Sequence, residues 1–389
     1  MSNQNTILTI PEPGKVVLKE VPYPKIKVGY ALVKIVIAPI CIEHQIYRDH
    51  TFEWHGDEEH MGHEGVGEIC EVAEGSKFKL GDRVVIYQGN PCGECFVCQR
   101  GLSPTHCLAI PYEEIQGGSN PHEKLNTLNN EIAMHTPGSP GSIEIDCESE
   151  SGGFGFSKFR IAPENMLQKI PDELPFRYAA AANCTLGCTY TGMEESGVKT
   201  GDWVLVAGIG FIGFGAIINA KYRGAKVIAL GRNEFRMNLA RKIGADHIIN
   251  PDDPTWLEQI HKLTGYLKGC DHVFECSGYP YYQKKCLQAV RRYGNMFVFG
   301  FLVDDDKPLP IHILDELHNR HVSLTGGHDV RVLDREGLIN MLMKPEVQEA
   351  TDHIVTHEFN MSDGKAAFDA ALSKKAGKIY LYPWDDCAA

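Results

Sequence analysis

Positive charge is scarce in this sequence. Its 389 residues hold 38 lysines and arginines against 51 aspartates and glutamates, a net charge of -13, the wrong sign for a protein whose affinity comes from neutralising phosphates. Nucleic acid is therefore not an expected partner. The N-terminus, MSNQNTILTIPEPGK, lacks the basic stretch followed by an apolar one that marks a secretory signal. Long apolar runs are lacking too: the longest uncharged one, 204–220, carries four glycines and is slightly short for a membrane span. No membrane partner is expected. The 13 cysteines follow no regular framework spacing, which argues against a disulfide scaffold and for a reducing compartment, with the cytoplasm as the expected location. Hydrophobic content of 43% and charged content of 23% are ordinary globular values. A chain of this length calls for two domains rather than one core.

What is present in excess is local. The stretch PCGECFVCQRGLSPTHC, residues 91–107, places Cys92, Cys95, Cys98 and Cys107 in a C-x2-C-x2-C-x8-C pattern. Two-residue gaps let successive thiolates turn inward onto one tetrahedral ion, and zinc is the metal that such a set selects. Four protein ligands leave no open position for a substrate, so this site is expected to staple a loop rather than do chemistry. His106, next to Cys107, is an alternative fourth ligand. The cluster alone also fits a zinc ribbon, and the rest of the chain must decide.

The second half reads as a nucleotide-binding unit. A turn at 200–202 leads into the β-type run WVLVA (203–207), then Gly208-Ile-Gly210-Phe211-Ile212-Gly213, then an apolar stretch without proline as far as Tyr222. In this strand–turn–helix context Gly208 permits the tight turn and Gly210 the approach of a pyrophosphate, while Gly213 permits close packing of helix on strand. A second β-type run, KVIAL, ends at Gly231-Arg232-Asn233, where a unit specific for NAD carries an acid for the ribose 2'-hydroxyl. A small residue followed by arginine, with Arg236 one turn onward, favours NADP over NAD. Further apolar runs, HVFECSG and NMFVFGF, alternate with helical segments such as YYQKKCLQAVRRYG, the pattern of a doubly wound parallel sheet. The N-terminal part is instead rich in short strands and turns, among them ALVKIVIAPI and GDRVVIYQG, and predicts a β-rich lobe.

Three further groups have metal-ligand chemistry: Cys41 after the run VKIVIAPI, the pair His63-Glu64 in MGHEGVGEI, and Cys184 in AANCTLGCTYTG. In this order, together with the staple and the glycine fingerprint, they resemble the zinc-containing medium-chain dehydrogenase/reductases, and the likeness runs from PEPGKVVLKEV to AGKIYLYP. The resemblance implies a GroES-like β-rich catalytic domain over 1–185, a Rossmann domain over 186–325 and a C-terminal return to the catalytic domain over 326–389. It also implies a catalytic zinc held by Cys41, His63 and Cys184, with Glu64 as a transient ligand or a partner just behind the ligands. Cys184 is chosen for its distance from Tyr190, and Cys188 is the alternative. Two thiolates and an imidazole leave one position open to polarise an alcohol or carbonyl oxygen, and a nicotinamide placed beside it would exchange hydride with the carbon. Two zinc ions per chain and a homodimer or homotetramer assembled through the nucleotide domain are implied as well.

The chain also departs from the family. Members usually carry Ser or Thr two positions after the first cysteine ligand and an acid next, whereas here the order is Cys41-Ile42-Glu43-His44. Glu43 is expected to take the proton-acceptor role in place of that hydroxyl, since a carboxylate within reach of the bound oxygen can serve as a general base, and His44 replaces the acid that would orient the histidine ligand. The segment 111–151 is longer than the family's usual connection and suits a cover over the cleft or an oligomer contact. Around the first ligand, EHQIYRDHTFEWHGDEEH is polar and aromatic, which suits a sugar, polyol or cyclitol, because buried polar groups need partners that a simple alkyl alcohol lacks. Two other readings remain open: a zinc-independent relative reducing activated double bonds, and a nucleotide-sensing protein without catalysis.

Overall fold

The structure, a computed structural model, describes residues 4–49, 61–89, 91–108, 155–300 and 309–384. Among the described residues fifteen strands follow in chain order: β1 Gln4–Glu12, β2 Lys15–Pro22, β3 Tyr30–Ile40, β4 Val66–Val72, β5 Arg83–Ile86, β6 Phe159–Pro163, β7 Leu167–Lys169, β8 Trp203–Ala207, β9 Lys226–Leu230, β10 His247–Ile249, β11 Cys270–Glu275, β12 Val290–Val298, β13 Ser323–Gly326, β14 Val355–Asn360 and β15 Lys378–Tyr382.

Strands β8 to β13 form one parallel sheet in the order β10-β9-β8-β11-β12-β13. Both faces of such a sheet are covered by crossover helices, so its strands are apolar throughout rather than alternating, and β8 and β11 accordingly bury nearly every residue. The order reverses beside β8, where open sheets of this kind bind their ligands at the strands' carboxyl ends.

The second sheet runs β14-β15-β3-β4-β5-β7, with β6 also on β3. Its pairs are antiparallel except β14 with β15. The strand β15, near the C-terminus, lies antiparallel to β3, Ile379 opposite Ile40, so the last part of the chain closes the sheet begun by the first. β1 and β2 form a separate hairpin. The join between the two sheets is the segment 179–188: Ala179 to Ala182, Leu186 and Cys188 are all buried in one apolar cluster with Ile37 and Val66 of the first lobe and Val204, Phe214 and Phe274 of the second. Small side chains there let the lobes approach closely, and Cys184 rides on that join.

Among the described residues no helix is long and apolar enough to cross a membrane. The segment 111–151 and residues 50–60 of the polar stretch after Cys41 lie outside the described residues.

Candidate metal and cofactor sites

The staple forms at the edge of the first lobe. Sulfurs of Cys95 and Cys98 stand 3.5 Å apart, Cys98 and Cys107 3.7 Å, Cys95 and Cys107 3.8 Å and Cys92 and Cys98 3.9 Å. Zinc–sulfur bonds of about 2.3 Å in a tetrahedron set sulfurs about 3.8 Å apart, so the four thiols fit that ion. Cys107, not His106, completes the set; the His106 ring faces Ser103, Thr105 and the ring of His328 instead. The loop is docked on the segment 329–333, just after the parallel sheet: Ser103 Oγ and Thr105 Oγ1 each donate to Asp329 Oδ2 at 2.8 Å, and Leu333 N donates to the Gly101 carbonyl at 3.0 Å.

A second cluster joins Cys41, His63, Glu64 and Cys184, whose ligand atoms all lie within 4.8 Å of one another. Cys41 follows the end of β3, His63 and Glu64 precede β4, and Cys184 precedes the helix Gly187–Ser196, so three separate turns converge. The sulfurs of Cys41 and Cys184 are 3.5 Å apart, and His63 Nε2 lies 3.6 Å from Glu64 Oε1. All four residues are buried. Glu64 Oε1 accepts from Lys378 Nζ at 2.6 Å, while its other oxygen is buried without a partner. Two thiols, an imidazole and a buried carboxylate with one oxygen left unsatisfied are a donor set that fits zinc. Cys188, one turn beyond Cys184, is outside the cluster: its thiol donates to the His328 carbonyl at 2.7 Å.

Glu43, expected as a proton acceptor, instead has both carboxylate oxygens bonded to the neighbouring turns. Its carboxylate is buried at the start of the helix Glu43–Asp49, and both oxygens are engaged. Oε1 accepts from His63 Nδ1 at 2.6 Å and from His63 N at 3.1 Å, and Oε2 accepts from Cys41 N at 2.9 Å. Burial pushes this carboxyl up, but the His63 charge and the hydrogen bonds from His63 and the backbone outweigh it and hold the pKa at about 2. Glu43 thus occupies the orienting place that the sequence reading left vacant. His44 turns away, its Nδ1 against the Cys41 carbonyl and its ring 5.7 Å from that of Phe211. Of the polar stretch that follows, Tyr47 is buried against Phe368 and donates to Asp369 at 2.7 Å, and Arg48 pairs with Asp49 at the surface.

The glycine turn follows β8. Gly208 has φ +95°, a conformation that side chains disfavour, and a Cβ on Gly213 would meet the Gly208 carbonyl oxygen at 2.0 Å. Nothing lies within 4 Å of a Cβ built on Gly210, so that backbone faces open space at the N-terminus of the helix Phe211–Tyr222, where peptide N–H groups favour an anion. Ile212 packs against the apolar cluster. Asn233 caps the next helix by accepting from Arg236 N at 3.0 Å. The Arg236 guanidinium is pulled down in pKa by burial, and its Nε has no partner. Arg232 is exposed, 3.5 Å from Asp252 and lying over the ring of Tyr282, beside Gly231.

Sequence reasoning missed Lys378 and Asn183. Lys378 Nζ lies 5.4 Å from the centroid of Phe211, the first residue of the glycine-turn helix, and so stands between the cofactor turn and Glu64. The only local signal for it is a lysine opening an apolar strand, KIYLY. Asn183 Nδ2 donates to the carbonyls of His63 at 3.1 Å and Ile86 at 2.5 Å.

Two family models match: the alcohol dehydrogenase GroES-like domain over residues 27–172 and the zinc-binding dehydrogenase over 212–342. An alcohol dehydrogenase of Geobacillus stearothermophilus is 32% identical over 307 residues, 76% of each chain. A sorbitol dehydrogenase of Halalkalibacterium halodurans is 27% identical over 344 residues, 86% of this chain and 88% of its own. The solved alcohol dehydrogenase TADH from Thermus sp. ATN1 superposes with a TM-score of 0.78 at 23% identity, covering 97% of this chain and 99% of its own, and so shares the fold. A buried zinc-type donor set beside a dinucleotide turn defines a class of hydride-transferring dehydrogenases. The chain belongs to the zinc-containing medium-chain dehydrogenase/reductase family. It is an enzyme of the alcohol dehydrogenase type, with zinc, a nicotinamide cofactor and a small-molecule substrate.

Proposed function

We propose that this enzyme oxidises a secondary alcohol of a polyhydroxylated compound, or reduces the matching ketone, with NADP and with two zinc ions per chain. The observation that carries the reading is the contact chain Glu64–Lys378–Phe211, which brings the dinucleotide turn against the buried thiol cluster. Cys41, His63 and Cys184 hold the catalytic ion, with Glu64 as the exchangeable fourth ligand, and Cys92, Cys95, Cys98 and Cys107 hold the structural one. When bound, zinc polarises the reacting oxygen and the nicotinamide carries the hydride. The chain's own part is to fix geometry and exclude water. Gly208, Gly210 and Gly213 with the N–H groups of Phe211 and Ile212 take the pyrophosphate. Gly231 leaves room for a 2'-phosphate, Arg232 and Arg236 pair with it, and Asn233 fixes the helix that carries Arg236.

A cavity of about 240 Å³ at the carboxyl ends of β12 and β13, lined in part by Cys188, Phe299, Gly326 and His328, supports entry of the nicotinamide end from that side. The polyol preference rests on the polar stretch after Cys41 and on likeness to a sorbitol dehydrogenase. Assembly through the nucleotide domain is supported by β13, whose four residues are all exposed, because an open sheet edge is a template for another strand. Nicotinamide absorbance, followed with alcohols, polyols, aldoses and cyclitols and with each cofactor, tests the reading. Turnover of polyhydroxylated compounds with NADP supports it, and turnover of simple alcohols with NAD overturns both the substrate class and the cofactor preference.

A further inference from the structure

The three turns that bear the catalytic cysteines and histidine are joined by two buried polar side chains that are not ligands. Glu43 ties the first to the second: one oxygen takes the Cys41 backbone N–H at 2.9 Å, and the other takes both the backbone N–H and the Nδ1–H of His63, at 3.1 and 2.6 Å. Asn183 ties the second to the third. It immediately precedes Cys184, and its Nδ2 donates to the His63 carbonyl at 3.1 Å and to the Ile86 carbonyl, at the end of β5, at 2.5 Å. Each is 1% exposed. The amide oxygen of Asn183 is buried without a partner, so the residue sits there for its donor side alone, at the cost of an unsatisfied acceptor.

We infer that Glu43 and Asn183 are positioning residues that hold the Cys41, His63 and Cys184 turns in ligating register independently of the metal. This rests on the zinc reading given above. Accepting the Nδ1 proton fixes the imidazole tautomer, so His63 presents Nε2 to the cluster. Anchoring the two flanking backbones removes freedom that the ion would otherwise have to freeze. Partners of this kind behind a ligand typically govern metal affinity by about 10–100-fold. Glu43 acts through His63 and Cys41 and does not exchange protons with the substrate, since neither oxygen is free to face it.

The test is zinc retention by the full-length holoenzyme under competition with a chromogenic chelator, for native protein, Glu43→Gln and Asn183→Ala. The native chain is expected to hold two ions. Each variant is expected to keep the staple ion, which also reports correct folding, and to release the other about 10–100-fold more readily. In cobalt-substituted protein the visible bands of the catalytic site should shift in Glu43→Gln, a change that loss of packing elsewhere does not produce. Variants that hold the second ion as tightly as native protein, with unaltered cobalt bands, overturn the inference while leaving the zinc reading intact. Native protein holding only the staple ion sinks both. If Asn183→Ala does not fold, the near-isosteric Glu43→Gln decides alone.

Discussion

Lys378 Nζ and Glu64 Oε1 lie 2.6 Å apart, with side-chain exposures of 1% and 0%. The two residues are 314 positions apart in the chain. Removing one partner of such a pair leaves an uncompensated buried charge, which costs about 3–5 kcal/mol. Lys378→Met is therefore expected to lower stability by about that amount in urea unfolding. The double variant Lys378→Met with Glu64→Gln should recover most of the loss, because it leaves no buried charge. A double variant as unstable as the single one would show that the lysine's packing matters and its charge does not.

On the proposed content of two zinc ions, substituting Cys98 by serine should remove one and leave the catalytic ion in place. The loop then loses its internal restraint, and its docking through Ser103 and Thr105 on Asp329 should loosen. Thermal unfolding is expected to shift down, and limited proteolysis to cut within 91–108. Loss of both ions from this variant would mean that the two sites do not stand independently.

Cofactor preference has its test at Gly231. A Cβ there would meet Ile209 Cδ1 at 2.3 Å and Cγ1 at 2.9 Å, so the Ile209 side chain must change rotamer to admit it. Gly231→Asp supplies an acceptor for a 2'-hydroxyl and repels a 2'-phosphate, so the ratio of kcat/KM for NADP to that for NAD should fall by about tenfold or more, ~1.4 kcal/mol. An unchanged ratio in steady-state kinetics would remove the adenosine end from this position.

The two proposed zinc sites should separate with pH. Metal binding requires the ligands to lose their protons. The pKa of Cys41 is raised by the thiol of Cys184 beside it and by burial, and that of Cys184 by the thiol of Cys188 and by burial. Burial pulls His63 down, but the carboxylate of Glu43 outweighs it and leaves the imidazole well above its usual value. In the staple, burial and the thiols of Cys95 and Cys107 leave Cys98 raised, but at Cys95 backbone N–H groups of Cys98 and Leu108 outweigh burial and bring the pKa to about 7, so at least one staple thiolate forms early. Groups with raised pKa hold their protons longer as pH rises, so zinc affinity at the catalytic site should climb with pH and be the first lost on acidification. Zinc content after dialysis against chelator across pH 5 to 8 checks this; earlier loss from the staple contradicts it.

What the sequence revealed follows from distance along the chain. The staple is legible because its four thiols fall within 17 residues (91–107), and spacing alone brings them together. The glycine turn is legible because strand, turn and helix are contiguous and each glycine has a local steric reason. Glu43 was misread. Position counting puts it where the family carries a hydroxyl, but the short helix that starts at this residue turns its carboxylate back onto Cys41 and His63. Asn183 and Lys378 carried almost no signal, since their partners are 120 and 314 residues away. A polar residue within an alanine run, or at the head of an apolar strand, gains its meaning only from the fold.

The return of β15 to β3 sets an order of events during synthesis. Cys41, His63 and Glu64 leave the ribosome early, yet the strand that closes their sheet, and the ammonium that neutralises Glu64, are not made until residue 378. At about 5–20 residues per second that is a wait of roughly 16–60 s. Throughout it the catalytic half has an open edge and an uncompensated acid, while the nucleotide domain between them can fold on its own contiguous strands. The nucleotide domain is thus expected to mature first, and the half that begins the chain to be completed last.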